Sequence, residues 1–315
     1  MAELLQVRSL ERRFGTKQAL RGLDFSLAPG EVLGLLGANG AGKTTCLRIL
    51  SGDLAPSRGS VRISGFDLAR NPVAARRHIG YLPERPPLYP DMRVDEYLQF
   101  CARLRRIPPG SIPRVVRRVK QRCGLEQTGQ RLLGKLSKGY RQRAGLAQAL
   151  IHEPDLVILD EPTDGLDPVQ IREVRGLIGD LAPSCGVVVS SHALSEVQSI
   201  CNRVIILRDG GVLYDALLTS NQDKPALLVR LRHAPKLSQL NALDPIADAT
   251  PMDEAADGGR TTAPTGFRIR LADHAGSEQL SEALVSAGWG LLEMTTEGTD
   301  LERVFFRCLG AQGPS

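Results

Sequence analysis

Apolar and polar positions group, over the first two thirds of the chain, into short strand-like runs separated by longer helical patterns. The strand-like runs are rich in Val, Leu and Ile and are bounded by polar residues, Gly or Pro. They cover residues 4–7, 23–27, 32–36, 61–63, 156–159, 187–190 and 204–207. Alternating strands and helices are typical of an α/β fold around a mostly parallel sheet, which we predict for residues 1–215.

One stretch of this region carries no convincing strand. Residues 88–155 show helical patterns at 94–105, 115–121 and 140–151. We therefore predict a helical subdomain inserted into the α/β core. These helices carry a basic cluster formed by Arg103, Arg105, Arg106, Arg114, Arg117, Arg118, Lys120 and Arg122. Such clusters are usually solvated surface; contact with a membrane partner or anionic lipid headgroups is the alternative.

The pattern changes in residues 225–315. Alternating strands are predicted at 227–232 and 267–271, each followed by a helical stretch that ends at an Ala-Leu pair, Ala242-Leu243 or Ala283-Leu284. Further strands at 246–249 and 290–294 complete a βαββαβ order, so we predict a small ferredoxin-like α+β domain. Residues 251–266 are predicted to be a loop, and a last helix to open at Thr299 and Asp300. Nothing in this domain indicates catalysis; a regulatory or dimerising role fits it.

Composition narrows the class of protein. Hydrophobic residues make up 42% and charged residues 24%, as in globular proteins, and no apolar run reaches the length of a membrane span. The N-terminus has no export-signal pattern, which predicts a cytosolic protein. The net charge of +5 is too small to indicate nucleic acid as a partner, and the six scattered cysteines show neither zinc spacing nor a disulfide pattern.

A glycine-rich loop follows the run at 32–36 and precedes a helix. Such a turn aims backbone N–H groups and the positive end of the helix at one spot, which suits nucleotide phosphates. We expect Lys43 to contact the β and γ phosphates of ATP and the Thr44 hydroxyl to bind Mg²⁺. The predicted nucleotide-binding residues are Gly37, Ala38, Asn39, Gly40, Ala41, Gly42, Lys43, Thr44 and Thr45.

Two acids end the apolar run at 156–159. A carboxylate at the end of a buried strand beside a phosphate loop is suited to bind Mg²⁺, so Asp160 is the predicted ligand. Glu161 comes one residue later and is predicted to orient or deprotonate the attacking water. The plain alternative is that both acids only solvate a strand end.

Leu136-Ser137-Lys138-Gly139-Tyr140 stands before a helical pattern and resembles the signature Leu-Ser-Gly-Gly-Gln of the ATP-binding cassette (ABC) family. The sequence departs from it at Lys138 and Tyr140. The resemblance implies that Ser137, Lys138 and Gly139 contact the γ-phosphate, and it covers residues 4 to about 215.

Further positions gain a role from this resemblance. Asp167, in Gly165-Leu166-Asp167-Pro168, resembles the family's D-loop, and His192 its switch histidine, which touches the γ-phosphate and is catalytic with Glu161 and Lys43. Phe14 takes the place of the adenine-stacking aromatic, although packing in an N-terminal hairpin is the alternative. Glu84 stands where the family usually has glutamine, and its oxygen makes it a third candidate Mg²⁺ ligand.

Residues 80–89 and 299–305 are similar to the gliding-motility and drug or polysaccharide exporter branch of the family. Membership implies that each ATP is clamped between the loop of one subunit and the signature of another, in a homodimer or heterodimer. It also implies a separate integral membrane permease, with this chain peripheral on the cytoplasmic face of the inner (plasma) membrane. An exporter ATPase is therefore predicted; an importer ATPase or a non-transport cassette ATPase is the alternative.

Overall fold

The computed structural model describes residues 3–218, 226–233, 235–252, 266–272, 275–296 and 305. Residues up to Leu218 form one compact unit, and those from Ala226 belong to a second. Most of the predicted loop at 251–266 and of the predicted ending at 299–305 lies outside the described residues. None of the described helices has the length and apolar character needed to cross a lipid bilayer.

The first unit alternates strands and helices as predicted. Its strands are β1 (Leu5–Phe14), β2 (Lys17–Leu27), β3 (Val32–Leu36), β4 (Arg58–Ile63), β5 (Phe66–Asp67), β6 (Ile79–Leu82), β7 (Leu156–Leu159), β8 (Gly186–Ser191), β9 (Arg203–Arg208) and β10 (Gly211–Leu217). Its α-helices are α1 (Lys43–Leu50), α2 (Pro72–Arg77), α3 (Val94–Leu104), α4 (Ile112–Arg122), α5 (Lys138–Leu150), α6 (Pro168–Leu181) and α7 (Leu194–Ile200).

A six-stranded sheet in the order β10-β9-β3-β8-β7-β6 forms the centre of this unit. The five strands from β9 to β6 run parallel, and β10 pairs antiparallel at the edge. Every residue of β3, β7 and β8 is buried, as expected for strands covered on both faces. The predicted α/β class with a mostly parallel sheet is confirmed.

A second, antiparallel sheet has the order β2-β1-β4-β5. Its β1–β2 hairpin places Phe14 opposite Lys17. Strands β5, β6 and β10 have no counterpart among the predicted runs. Strand β6 has only four residues and contains Gly80, so its pairing with β7 stabilises it more than its own pattern does. Strand β10 is an edge strand without a buried face, and it gives no periodic signal.

The predicted helical subdomain is present between β6 and β7. Helices α3, α4 and α5 match the three predicted patterns, and within this stretch the described strand pairing is one isolated bridge, Arg93 to Leu132. Helix α4 buries an apolar stripe and exposes most of its basic residues. Lys120 pairs with Asp95 at 2.6 Å, and Arg118 pairs with Glu153. Much of the basic cluster is thus an exposed helix face.

The second unit contains β11 (Leu227–Leu231), α8 (Leu237–Leu240), β12 (Ile246–Pro251), β13 (Gly266–Leu271), α9 (Ser277–Ser286) and β14 (Leu291–Thr296). The strands form an antiparallel sheet in the order β12-β13-β11-β14, so the ferredoxin-like plan is confirmed. The predicted helix ends were wrong. Helix α8 stops before Ala242, and Pro245 soon after disfavours helical backbone, whereas α9 continues beyond Leu284.

Candidate functional site

Four of the predicted functional segments follow four neighbouring strands. The order β3-β8-β7-β6 is parallel throughout, so the carboxyl ends of these strands meet at one edge of the sheet. The glycine-rich loop follows β3, Asp160 and Glu161 follow β7, Glu84 follows β6, and His192 follows β8. Residues far apart in sequence are thereby brought to one place.

The loop after β3 wraps around the ammonium group of Lys43. Gly40 and Gly42 have φ values of 84° and 109°, a left-handed conformation that glycine adopts without steric cost. Lys43 begins α1, is buried, and donates hydrogen bonds from Nζ to the Gly37 carbonyl at 2.7 Å and the Ala38 carbonyl at 3.5 Å. The loop therefore presents a shielded cation beside the N-terminus of α1.

Asp160 is the buried acid of the site, with 1% of its surface exposed. Its Oδ1 accepts hydrogen bonds from Ser190 Oγ at 2.7 Å and from Thr44 Oγ1 at 3.4 Å. Burial raises the pKa of Asp160; the two hydroxyl groups oppose that rise, and the charges of Glu161 and Glu84 add to it. A buried carboxylate near two other acids is strongly stabilised by a cation.

Glu161 joins three parts of the site. Its backbone has φ 46°, an uncommon conformation for a residue with a side chain, and its N–H donates to Ser190 Oγ at 2.9 Å. Its Oε1 lies 3.4 Å from Lys43 Nζ, and its Oε2 lies 2.9 Å from His192 Nδ1. The glutamate side chain is 13% exposed, and the histidine 55% exposed. The carboxylate thus stands between the loop cation and a surface imidazole.

Lys43, Glu161 and His192 border a cleft of about 480 Å³. It is lined by Phe14, Lys17, Ala19, Ala38, Asn39, Gly40, Gly42, Lys43, Thr44, Thr45, Glu84, Glu161, Asp164 and His192. Eleven of these residues were predicted to bind nucleotide or metal or to be catalytic, whereas the predicted Gly37, Ala41 and Asp160 are not part of the lining. The other three residues were not predicted, because no sequence motif marks them: Lys17 and Ala19 lie in the β1–β2 hairpin, and Asp164 lies in the loop before α6.

The donor set fits a magnesium ion. Thr44 offers a hydroxyl and Asp160 and Glu84 offer carboxylates, and hard oxygen ligands of this kind suit Mg²⁺. Glu84 is exposed, and it and Thr44 also line a second cavity, which Asp160 lines as well. This second cavity contains four arginines, Arg48, Arg76, Arg85 and Arg105.

Phe14 ends β1 and lines the cleft with 45% of its surface exposed. The Arg12 guanidinium lies over its ring, 4.6 Å from the centroid. The hairpin therefore places the ring without burying it, and an exposed aromatic at the cleft can stack on a flat base.

The signature residues do not line this cleft. Ser137 is exposed and caps α5 by accepting a hydrogen bond from Tyr140 N at 3.4 Å. Gly139 is buried against Gln170, which a β-carbon at that position would meet. Lys138 Nζ lies 3.3 Å from Asp164 Oδ2, so the cleft-lining Asp164 is a link between the signature and the nucleotide cleft.

Asp167 also lies outside the cleft lining. Its Oδ1 accepts hydrogen bonds from the backbone N–H groups of Val169 at 3.0 Å and Gln170 at 2.9 Å, which makes it the N-cap of α6. The contacts observed for Asp167 are those of a helix cap, while its predicted role was nucleotide binding.

Comparison with known proteins shows what this site is similar to. A family model described as ABC transporter matches residues 20–164. The bacitracin transport ATP-binding protein BcrA of Bacillus licheniformis is 30% identical over 313 residues, an alignment covering 98% of each chain. The Nod factor export ATP-binding protein I of Paraburkholderia xenovorans is 35% identical over 64% of this chain and 66% of its own.

A solved structure described as the ATP binding subunit of an ABC transporter is 30% identical, with a TM-score of 0.63, and the match covers 68% of this chain and 90% of that one. A dimeric ATP-binding cassette, MJ0796, bound to ADP and phosphate is 22% identical with a TM-score of 0.63, which shows a common fold. The family model and the similarity to BcrA along both chains show, together with the cleft, that this chain belongs to the ATP-binding subunits of ABC transporters and is an ATPase.

Proposed function

We propose that this chain binds and hydrolyses ATP as the motor subunit of an ABC exporter, in which it drives a separate membrane permease through ATP-dependent dimerisation. The observation that carries the ATPase part is the convergence of Lys43, Thr44, Asp160 and Glu161 at the edge of one sheet. Export is favoured because relatives are described as serving Nod factor export and linearmycin resistance.

The chemistry follows from the positions of the side chains. Lys43 is held against two loop carbonyls and would turn its charge to the β and γ phosphates. Glu161 would accept a proton from the attacking water, and His192, in contact with its carboxylate, would hold that carboxylate and touch the γ-phosphate. Thr44, Asp160 and Glu84 would hold Mg²⁺, which neutralises charge on the phosphates.

Dimerisation explains why the signature lies away from the cleft of its own chain. Ser137, Lys138 and Gly139 would meet the γ-phosphate of ATP bound in the partner's cleft. Two ATP molecules would hold the dimer closed, and hydrolysis would reopen it because the shared phosphate contacts are lost. Coupled to a permease, such a dimer would work as a peripheral protein on the cytoplasmic face of the plasma membrane.

The first test is Glu161→Gln. This substitution keeps the shape of the side chain and removes its basicity, so ATP turnover should fall by roughly 10²-fold to 10⁴-fold. ATP binding and ATP-dependent dimerisation should remain, as measured by calorimetric titration and light scattering. Hydrolysis by the purified variant at near the parent rate would show that the water is activated elsewhere.

The second test addresses transport. The full chain, expressed with its natural neighbours and purified from membranes, should bring down an integral membrane permease. Vesicles containing that complex should move substrate away from the face that carries the ATPase. Movement towards that face would favour an importer, and absence of any membrane partner would favour a cassette ATPase without a transport role.

A further inference from the structure

A single hydroxyl group connects the two acids of the site. Ser190 lies near the end of β8, with none of its surface exposed. Its Oγ is 2.7 Å from Asp160 Oδ1 and 2.9 Å from the backbone nitrogen of Glu161. These two residues are adjacent in sequence but have different proposed tasks, metal binding and water activation.

The direction of both hydrogen bonds follows from the groups involved. The Glu161 N–H has only a proton to offer, so the Ser190 oxygen accepts it. The hydroxyl proton is then donated to the carboxylate of Asp160. Because Ser190 is fully buried, each bond is costly to lose, since its removal leaves a polar group of Asp160 or Glu161 without its partner.

The hydroxyl acts at a point where the backbone is strained. Glu161 has φ 46°, and a residue with a side chain keeps this conformation only when its surroundings hold it there. The same backbone conformation directs the Glu161 carboxylate towards Lys43 and His192. The bond from Glu161 N to Ser190 is thus a restraint on the direction of that carboxylate.

Ser190 also determines which oxygen of Asp160 is occupied. Its bond and the longer bond from Thr44, at 3.4 Å, both go to Oδ1. Among the described residues, no side-chain hydrogen bond to Oδ2 accompanies them. The two side-chain hydrogen bonds to this carboxylate thus converge on one oxygen, Oδ1.

We infer that Ser190 is a positioning residue for the ATPase reaction, which fixes the metal-binding carboxylate of Asp160 and the backbone of Glu161 through one buried hydroxyl. This inference rests on the proposed function of the site. Strand β8, which leads into His192, thereby has a second role: its end aligns the two acids that follow the neighbouring strand β7.

Ser191 provides a matched control. It is the next residue, it is 2% exposed, and its hydroxyl is also fully engaged. That hydroxyl donates to Glu196 Oε2 at 2.8 Å and accepts from Ala193 N at 2.9 Å, so it stabilises the start of α7 instead of the acids. Loss of a buried serine hydroxyl is thus common to Ser190→Ala and Ser191→Ala, whereas loss of the contact to Asp160 belongs to Ser190→Ala alone.

The experiment compares ATP affinity with Mg²⁺ and with EDTA for the full-length parent, Ser190→Ala, Ser190→Thr and Ser191→Ala, by calorimetry. Ser190→Ala should reduce the Mg²⁺-dependent gain in affinity by about 10-fold to 100-fold, the range found when partners of metal ligands are removed. It should also raise the Mg²⁺ concentration for half-maximal hydrolysis. Ser190→Thr, which keeps the hydroxyl, should restore both values, and Ser191→Ala should leave both close to those of the parent.

An unchanged Mg²⁺-dependent gain in Ser190→Ala, or an equal loss in Ser191→Ala, would overturn the inference. If Ser190→Ala does not fold, as judged by its thermal transition, Ser190→Cys tests the same point, since a thiol keeps the size but donates weakly. A parent protein without any Mg²⁺-dependent ATP binding would refute the proposed function instead.

Discussion

Lys43 shows how much a single residue type at a defined place can reveal. A lysine after a glycine-rich turn between a buried strand and a helix is predicted to meet phosphates, and the structure gives it two carbonyl partners and an acid, Glu161, at 3.4 Å. These carbonyl and carboxylate partners can be replaced by a more negative ligand, such as a phosphate, to which the buried ammonium would then bind. The loop thus keeps the cation in place before a nucleotide arrives.

His152 predicts a dependence of stability on pH. Its Nε2 is 3.0 Å from the Ile79 carbonyl, to which the neutral ring donates, while Nδ1 is buried without a partner among the described residues. Burial, with repulsion from Arg105, lowers the pKa of His152 from 6.5 to about 4. Protonation would place an N–H at Nδ1 with nothing to accept it.

Because the pKa of His152 is lower in the folded state, its contribution to stability is complete above pH 6.5 and is lost as the pH falls from 6.5 to about 4. The loss should reach up to about 3 kcal/mol. His152→Gln keeps a donor for the Ile79 carbonyl but does not titrate. Its free energy of unfolding, from urea titrations at several pH values, should vary less over this window than that of the parent; equal slopes would contradict the assignment.

Ser190 is a residue of the site whose role could not be predicted from the sequence. Lys43, Thr44, Asp160 and Glu161 were predicted because strand, loop and helix signals surround them, and the structure brings them together. Ser190 reads as one polar residue at the end of a strand; only the pairing of β8 with β7 places it against the acids. Its contacts are tertiary and leave no local pattern.

At the scale of elements, the turn between β3 and α1 depends on the space around its glycines. Gly42 has φ 109°, and a β-carbon there would lie 2.8 Å from Leu20 Cδ2 and 2.9 Å from the Ala19 carbonyl. Gly40 has φ 84°, but a β-carbon there would meet nothing within 4 Å. The two positions share a left-handed backbone conformation and differ in the room available for a β-carbon.

Gly42→Ala should therefore cost more than Gly40→Ala. Both changes add the strain of a left-handed residue, about 1 to 2 kcal/mol, and Gly42→Ala adds a clash of about 1 to 3 kcal/mol. We expect a larger drop in melting temperature and a weaker ATP affinity for Gly42→Ala, from scanning calorimetry and nucleotide titration. Equal effects of the two variants would show that the loop can move away from β2.

Helices α5 and α6 begin close to the proposed interface and are joined by side chains. Ser137 and Asp167 cap them, and Lys138 connects the first turn of α5 to Asp164, which precedes α6. The two departures from the family signature therefore differ in their contacts. Lys138 is paired within its own chain, and the Tyr140 ring lies under the Arg143 guanidinium, 5.4 Å from its centroid.

For the whole molecule, the order of strands decides where the chemistry can lie. A parallel sheet in which β3, β8, β7 and β6 are neighbours places the glycine-rich loop, the acids after β7 and β6, and His192 on one edge, apart from the signature residues. Strand and helix alternation predicted the class of fold. The order of the strands did not follow from it, because pairing between strands more than a hundred residues apart is determined by packing.

The second unit was predicted as βαββαβ from two alternating strands and a weak repeat, and its sheet has the ferredoxin-like order. Its core is formed by the buried faces of the strands and of α9, including Val229, Phe267, Ile269 and Leu284. BcrA is similar over both units, since its alignment extends along 98% of the chain. The helix ends were less predictable, because the four-residue α8 has too few turns to show a period.

The central claim is that each ATP is bound between the glycine-rich loop (residues 37–45) of one subunit and the signature (residues 136–140) of another. Two variants separate these halves: Lys43→Ala removes the loop cation, and Ser137→Glu sets a carboxylate against the partner's phosphates while still favouring the start of α5. In a dimer of either variant alone, each ATP site has one damaged half, either the loop or the signature. A mixed dimer has one, because the two-fold arrangement pairs the loop of one chain with the signature of the other.

The most direct measurement is ATP hydrolysis by the two variants, separately and mixed in equal amounts, with light scattering to follow dimers. Each variant alone should be inactive and monomeric, and the mixture should recover up to about half of the parent rate, because the dimers that can form are mixed dimers with one working site of two. A mixture as inactive as its components, beside a parent that dimerises with ATP, would contradict a site completed across the subunit boundary.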